Sequence, residues 1–296
     1  MPSLSGLLIL DKPRGWTSHD AVAWLRRRVK TRQVGHAGTL DPAAEGVLVV
    51  AVGSATRLLP YLQEADKQYV AHVVLGIETT TDDLEGEITA ITEATPPSQA
   101  DVEATLQRFQ GEIVQVPPRF SAIKVDGTPL YRRARAGQDV SAPPRRVTIS
   151  RLSLLWYHYP DLVFVVDCSK GTYVRSLARD IGAALGTGGY LHGLVRTRVG
   201  RFTLAQAWTI DELEAGLSPE TWSLFALPPE DALSAGPALI LSEQDEAAWY
   251  HGSPVRLSAP AVPDLLARVY THDGYWAGLA RPASTGRWRP VLVTGQ

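Results

Sequence analysis

A single cysteine, Cys168, stands in a chain of 296 residues. That rules out a disulfide framework and any cysteine-based zinc site, and it fits a reducing compartment. Long apolar runs are also missing. Leu7 to Leu10 is too short for a signal-peptide core or a membrane span, and it stops at Asp11-Lys12. The expected setting is soluble and cytoplasmic, with no membrane partner. Seven histidines show no paired ligand spacing, so no metal site is expected. An excess of charge is absent too, since the formal net charge is −2. The distribution is uneven, however. Residues 12–36 hold seven Lys/Arg and one acid, 119–151 hold eight against two, and 170–201 hold six against one. Acids collect at 37–118, thirteen against three basics. Phosphate binding follows the local field and not the total, so three basic segments point to an RNA-facing surface.

What the chain does have is a glycine-dense loop, Val34-Gly35-His36-Ala37-Gly38-Thr39-Leu40-Asp41-Pro42-Ala43-Ala44-Glu45-Gly46. The apolar run Val47 to Val52 follows and reads as a buried strand. Glycine admits positive φ and close approach, while Pro42 stiffens the chain and biases Asp41 toward an extended conformation. The result is one carboxylate on a stiff loop at a sheet edge. The residues alone leave two readings open, a reactive acid or an Asx turn.

The rest of the chain reads as an α+β domain with a mixed sheet, over roughly residues 1–232, and a short β-rich tail over 238–296. Ser18 is the expected N-cap of a helix over about 19–30. Tyr69 to Leu75 is strand-like, 77–98 reads mainly as loop, and Val102 to Phe109 as a short helix. Residues 119–146 are irregular and basic. Val147 to Tyr157 and Leu162 to Val166 read as neighbouring strands. A helix follows Gly171, with Val174, Leu177, Ile181 and Leu185 on one face, and glycines 186, 188 and 189 stop it. Pro228-Pro229 and Gly236-Pro237 mark a linker.

Several segments, taken together, resemble the TruB family of pseudouridine synthases, which act on uridine 55 in the T-loop of tRNA. They are the loop around Asp41 and Leu10-Asp11-Lys12-Pro13-Arg14-Gly15-Trp16-Thr17-Ser18-His19-Asp20. Next come Asp66-Lys67-Gln68-Tyr69, Thr79 to Gly86 and Pro117 to Lys124. Last are Cys168 to Arg175 and Leu191-His192-Gly193-Leu194-Val195-Arg196-Thr197. The resemblance runs nearly continuously from residue 6 to about 210 and weakens beyond. It implies the pseudouridine synthase fold, with a mainly antiparallel sheet and packed helices. It also implies a segment near 119–146 that touches RNA and a small C-terminal domain resembling PUA domains.

The chemistry implied is an isomerisation: the bond from C1′ to N1 breaks, the base turns, and C1′ joins C5. No redox step or external donor enters, so no cofactor is expected. The resemblance makes Asp41 the reacting carboxylate, either a nucleophile at C1′ or a base at C2′. It makes Arg175 the guanidinium that grips Asp41, by a bidentate fork if the geometry allows, and Tyr69 the ring against the flipped uracil. It further places Leu194 below the base and His36 in the gap left by the extruded base. Lys12, Lys67, Lys170, Arg132 and Arg133 are candidate phosphate or pocket residues. One departure is Leu194-Val195-Arg196 where the family often carries Leu-Arg-Arg. The implied partner is the T-arm of tRNA, without an obligate protein partner or guide RNA. The rival readings are the same chemistry on another RNA and a tRNA-binding or folding factor whose catalysis is dispensable.

Overall fold

The computed structural model describes residues 4–120, 124–125, 127–130, 133, 142–233, 236–257, 265–283 and 286–294. Strand β1 (Gly6–Lys12) leads to helix α1 (Ser18–Arg28), then β2 (Val34–His36) and β3 (Ala44–Val52). A 3₁₀ turn (Gly53–Leu58) runs into α2 (Leu59–Glu64) and β4 (Lys67–Leu75). Strands β5 (Ile77–Thr79) and β6 (Ile88–Ile91) precede α3 (Gln99–Arg108) and β7 (Gly111–Gln115). Two-residue strands β8 (Lys124–Val125) and β9 (Thr128–Pro129) follow. Then come the long β10 (Arg145–His158), β11 (Asp161–Cys168), α4 (Val174–Ala184), β12 (Gly189–Val199) and β13 (Phe202–Thr203). Helices α5 (Ile210–Gly216) and α6 (Trp222–Phe225) lead to β14 (Ala238–Ile240) and α7 (Glu243–Tyr250). Strands β15 (Val255–Arg256), β16 (Ala267–Tyr270), β17 (Trp276–Pro282) and β18 (Arg287–Val293) end the chain.

The main sheet runs β1-β3-β12-β4-β11-β10-β7, with β2 on β3 and β13 on β12. All pairings are antiparallel except β12 with β3. The class is therefore the mixed, mainly antiparallel α+β arrangement read from the sequence. On one face α3 packs on β10 and α4 on β12 and β4, burying Val102, Leu106, Val174, Leu177 and Ile181 in one core with Ala71, Val73 and Phe164. Each such side chain contributes roughly 1.5–3 kcal/mol by leaving water. α1, α5 and α6 cover Leu8, Leu10, Leu48 and Val50 at the other end of the sheet. A second sheet, β14-β16-β17-β18-β15, is built from residues 238–293. Leu279 and Leu292 of that sheet join Leu7, Ile9, Val47 and Val49 in one core, which fastens it to the β1–β3 end.

One local reading changes and two elements are added. The N-cap of α1 is Thr17, not Ser18: Thr17 and Asp20 close a capping box, since only this offset puts the carboxylate at the third helical position. Ser18 is buried instead and serves the loop described below. Residues 77–98 are mainly loop, as read, but within them β5 and β6 pair as a hairpin whose Ile88 and Ile91 stay exposed. The second added element is β12, which carries no clean alternation and yet lies between β3 and β4 at the centre of the sheet. Its pairing slips twice against β4, so a period-two pattern cannot form.

Candidate active site

Asp41 sits in the loop that joins β2 to β3, and that loop is clamped from two sides. From α1, the Ser18 hydroxyl accepts the Leu40 N–H at 2.9 Å and lies 3.2 Å from the Leu40 carbonyl. From β12, the Arg196 guanidinium donates to the carbonyls of Val47 (2.7 Å), Gly38 (3.1 Å) and Thr39 (3.4 Å). Arg196 is fully buried. Glycine is required twice here. Gly38 turns the chain at φ +93°, and Gly46 at φ +98° lies so close to β12 that a Cβ would meet the Arg196 carbonyl at 2.3 Å. Asp41 emerges from this frame with its side chain 45% exposed.

Arg175 comes from the first turn of α4. Gln115, at the end of β7, fixes the entry to that helix. Its amide donates to the Tyr173 carbonyl (3.0 Å) and accepts the Tyr173 N–H (2.8 Å). Arg175 is buried and its two terminal nitrogens part company. Nη2 lies 3.1 Å from Asp41 Oδ2, and Nη1 lies 3.3 Å from Asp83 Oδ2. The same nitrogens also reach the carbonyls of Phe120 (3.1 Å) and Thr81 (3.4 Å). The two-toothed grip on Asp41 is thus replaced by a bridge between two carboxylates, because Asp83 occupies the second tooth. Two acids around one cation leave a local charge that can be shared in the apolar surroundings.

Asp83 has no assigned role in the sequence reading, although it lies in the Thr79–Gly86 motif. It is held by the Thr81 hydroxyl and the Glu85 N–H, and its backbone bridges to Leu191 of β12. Arg196 is the other unassigned member. Its signal was its place in the Leu191–Thr197 motif, but its contacts are to main chain brought from 150 residues away and no pattern announces them.

A cleft opens beside Asp41, lined by Ala43, Ala44, Leu84, Leu191, Leu194 and the paired Asp83 and Arg175. Leu194 is brought there by its register opposite Ala44 of β3 and Ala71 of β4. Tyr69 lies in the core cluster with Leu40 and Ala44, the residues flanking Asp41. Burial pushes its phenol pKa up, and Arg196 beside it pulls the other way. His36 closes β2, with its ring on edge to His19 at 5.8 Å. Burial, then His19, lowers its pKa, and its Nδ1 has no hydrogen-bond partner among the described residues.

The lysines divide. Lys12 is fully buried and donates to the Pro13 (2.9 Å) and Trp16 (2.6 Å) carbonyls, which closes the turn before α1. Burial lowers its pKa to about 8. Lys67 is buried and caps the end of α2 through the Gln63 and Ala65 carbonyls, with its pKa also lowered by burial. Both ammonium groups are turned inward, so neither is presented to a phosphate. Lys170 is exposed and paired with Glu64. Arg133 is half-buried, and Arg132 lies outside the described residues. Among the described residues, one histidine–acid group could hold a metal ion, Glu246, His272 and Asp273, on the second sheet and its helix.

Comparison with known proteins shows the family. The N-terminal domain model of the TruB family pseudouridylate synthases matches residues 26–174, and the tRNA pseudouridylate synthase B C-terminal domain model matches 175–227. A tRNA pseudouridine synthase B from Pseudomonas paraeruginosa is 45% identical over 97% of this chain and 95% of its own length. One from Thermobifida fusca is 49% identical over 97% and 98%. Among solved structures, one from a Cbf5-Nop10-Gar1 complex superposes with a TM-score of 0.74 at 28% identity, over 98% of this chain and 84% of that one. With two family models matching residues 26–227 and relatives 45–49% identical over nearly the whole chain, the chain belongs to the TruB family of pseudouridine synthases.

Proposed function

We propose that the chain isomerises uridine 55 in the T-loop of tRNA to pseudouridine, acting without a guide RNA or obligate protein partner in the cytoplasm. The observation that carries this reading is the Asp41–Arg175–Asp83 bridge at the mouth of an apolar cleft. The uridine leaves its stack and enters that cleft with Leu194 below the base and the Tyr69 ring against it. His36, at the edge of the same loop, takes the vacated space in the RNA, which offsets part of the unstacking cost. Asp41 is the only half-exposed carboxylate of the bridge, so it is the one that reaches ribose. It either attacks C1′ or removes the C2′ proton as the C1′–N1 bond breaks. The detached uracil turns and C5 bonds to C1′, with departure of the Asp41 carboxylate in the first case or return of the proton to C2′ in the second; the C5 proton then departs and N1 gains one. Atoms and electrons balance within the substrate, so no cofactor is required.

Several features support substrate binding by shape. The basic segments at 12–36, 119–151 and 170–201 supply phosphate contacts, with Arg132 and Arg133 in the middle one, and Lys170 is exposed beside Glu64. Lys12 and Lys67 serve instead as internal props of the pocket walls. Residues 238–296 form a PUA-like domain, and residues 1–232 the catalytic one.

The test is to incubate the pure protein with a T-arm transcript and map pseudouridine at single-nucleotide resolution. Modification at uridine 55 by the protein alone, abolished in Asp41→Asn with RNA binding retained, is expected. Activity only after adding another RNA or protein would support the guide-dependent alternative, and turnover by Asp41→Asn within tenfold of wild type would remove Asp41 from the chemistry.

A further inference from the structure

Beside the cleft, the sheet carries a group of side chains that the steps above leave unused. His72 on β4 and Asp161 at the start of β11 meet through Nε2 and Oδ1 at 2.6 Å, each about one-third exposed. The ring of His192 on β12 packs on edge against His72, with centroids 4.8 Å apart. The Tyr190 hydroxyl lies 3.4 Å from His192 Nδ1. A bulge produces this arrangement. Leu191 pairs with Val73 and Gly193 with His72, so His192 is the extra residue on its strand. Bulges re-aim side chains near active sites. Here the consequence is that four successive residues, Leu191 to Leu194, all line the cleft that holds Asp41. Regular alternation would have sent half of them to the other face.

We propose that His192 is a proton-linked contact to the RNA strand, taking a backbone phosphate next to the nucleotide in the cleft, with His72 and Asp161 positioning its ring. This rests on the reading that the cleft takes a uridine of RNA. The groups that face His192 are Tyr190 on its own strand, His72 on β4, Asp161 on β11 and Arg14 from the loop after β1. Asp41, Asp83 and Arg175 share the cleft lining with it. Burial, then His72 and Arg14, lowers the His192 pKa from 6.5, while Asp161 acts in the opposite direction. In the free protein the imidazole is therefore neutral at pH 7. A phosphate at the rim favours the charged form and gains a charge-assisted hydrogen bond. Binding then takes up a proton, and affinity rises as the pH falls. Asp161 holds His72 in one orientation, and the His72 ring in turn gives His192 a fixed wall.

The experiment uses the full-length Asp41→Asn protein, which binds without turnover, and a T-arm stem-loop. Its Kd is measured from pH 5.5 to 8.0 alone and with His192→Gln or His72→Gln added. Expected is a tightening of about fivefold between pH 7.5 and 5.5 in the parent, as for one linked proton. His192→Gln should flatten it, and His72→Gln should reduce it. The difference between parent and His192→Gln is the readout. An unchanged profile in His192→Gln, or a flat one in the parent, overturns the proposal. Pseudouridine formation by the wild-type protein on the same stem-loop separates the two levels. If it fails, the reading of the cleft fails. If it holds while His192→Gln leaves the pH profile intact, only the role of His192 falls.

Discussion

Arg175→Lys isolates geometry from charge. The guanidinium reaches Asp41 at 3.1 Å and Asp83 at 3.3 Å with different nitrogens, and it also touches two main-chain carbonyls. A single ammonium cannot span that set. It would settle on Asp83, whose side chain is 10% exposed, because the drier partner holds a cation more tightly than Asp41 at 45%. Asp41 would then lose the contact that aims it. A charged hydrogen bond lost at a buried site costs about 1.5–3 kcal/mol. The half-exposed Asp41 arm falls at or below the lower end of that range, so stability should drop by no more than about 1.5 kcal/mol. A reacting group misplaced by about 1 Å loses on the order of 100-fold in rate. The assay is single-turnover pseudouridine formation on a T-arm transcript, with the Kd measured alongside. The expected outcome is a rate about 100-fold lower with Kd within threefold. A lysine variant that reacts within threefold of wild type would refute the bridge as the positioning device. So would equal losses in rate and affinity, which would point to a collapsed site.

Arg196→Met should be severely destabilising, by more than about 3 kcal/mol, because the buried Val47 carbonyl and the part-buried Gly38 and Thr39 carbonyls lose a charged donor. Urea unfolding reads it, and a loss below 1 kcal/mol would show that the loop holds itself. For Lys12, the folded value of about 8 lies below the ordinary 10.5, so between these pH values the unfolded chain holds more protons. Stability should therefore rise with pH across that window relative to Lys12→Met. A parallel pair of stability curves would contradict it. RNA affinity should fall with salt at a log–log slope of magnitude about 3 or more despite the net charge of −2. Asp41→Asn should leave that slope unchanged, and a slope near zero would mean that the basic segments point apart.

The sequence determined the class of the protein, and it did so through short-range chemistry. Glycines and a proline around Asp41 announce a stiff loop whatever surrounds it, and the apolar run after it can only be a buried strand. The motifs at Tyr69, Arg175 and Leu191 to Thr197 carried the family. Helix α4 was legible because its apolar face repeats at helical spacing, ending at Gly186. What lay beyond reach depended on register and on distant partners. β12 hid because a bulge at His192 breaks its alternation. The β5–β6 hairpin hid because its isoleucines face solvent. Ser18 looked like a cap, yet the fold gave it to the Leu40 main chain. Lys12 and Lys67 read as residues that bind phosphate or order the pocket, and only tertiary packing, which brings carbonyls to their ammonium groups and turns them inward, decides between the two. Asp83 became the second partner of Arg175 because its backbone bridges to β12, a pairing across more than 100 residues. Local backbone chemistry fixes which residues can react. Which carboxylate an arginine finds, and how open that carboxylate is to substrate, is decided only when the strands have taken their register.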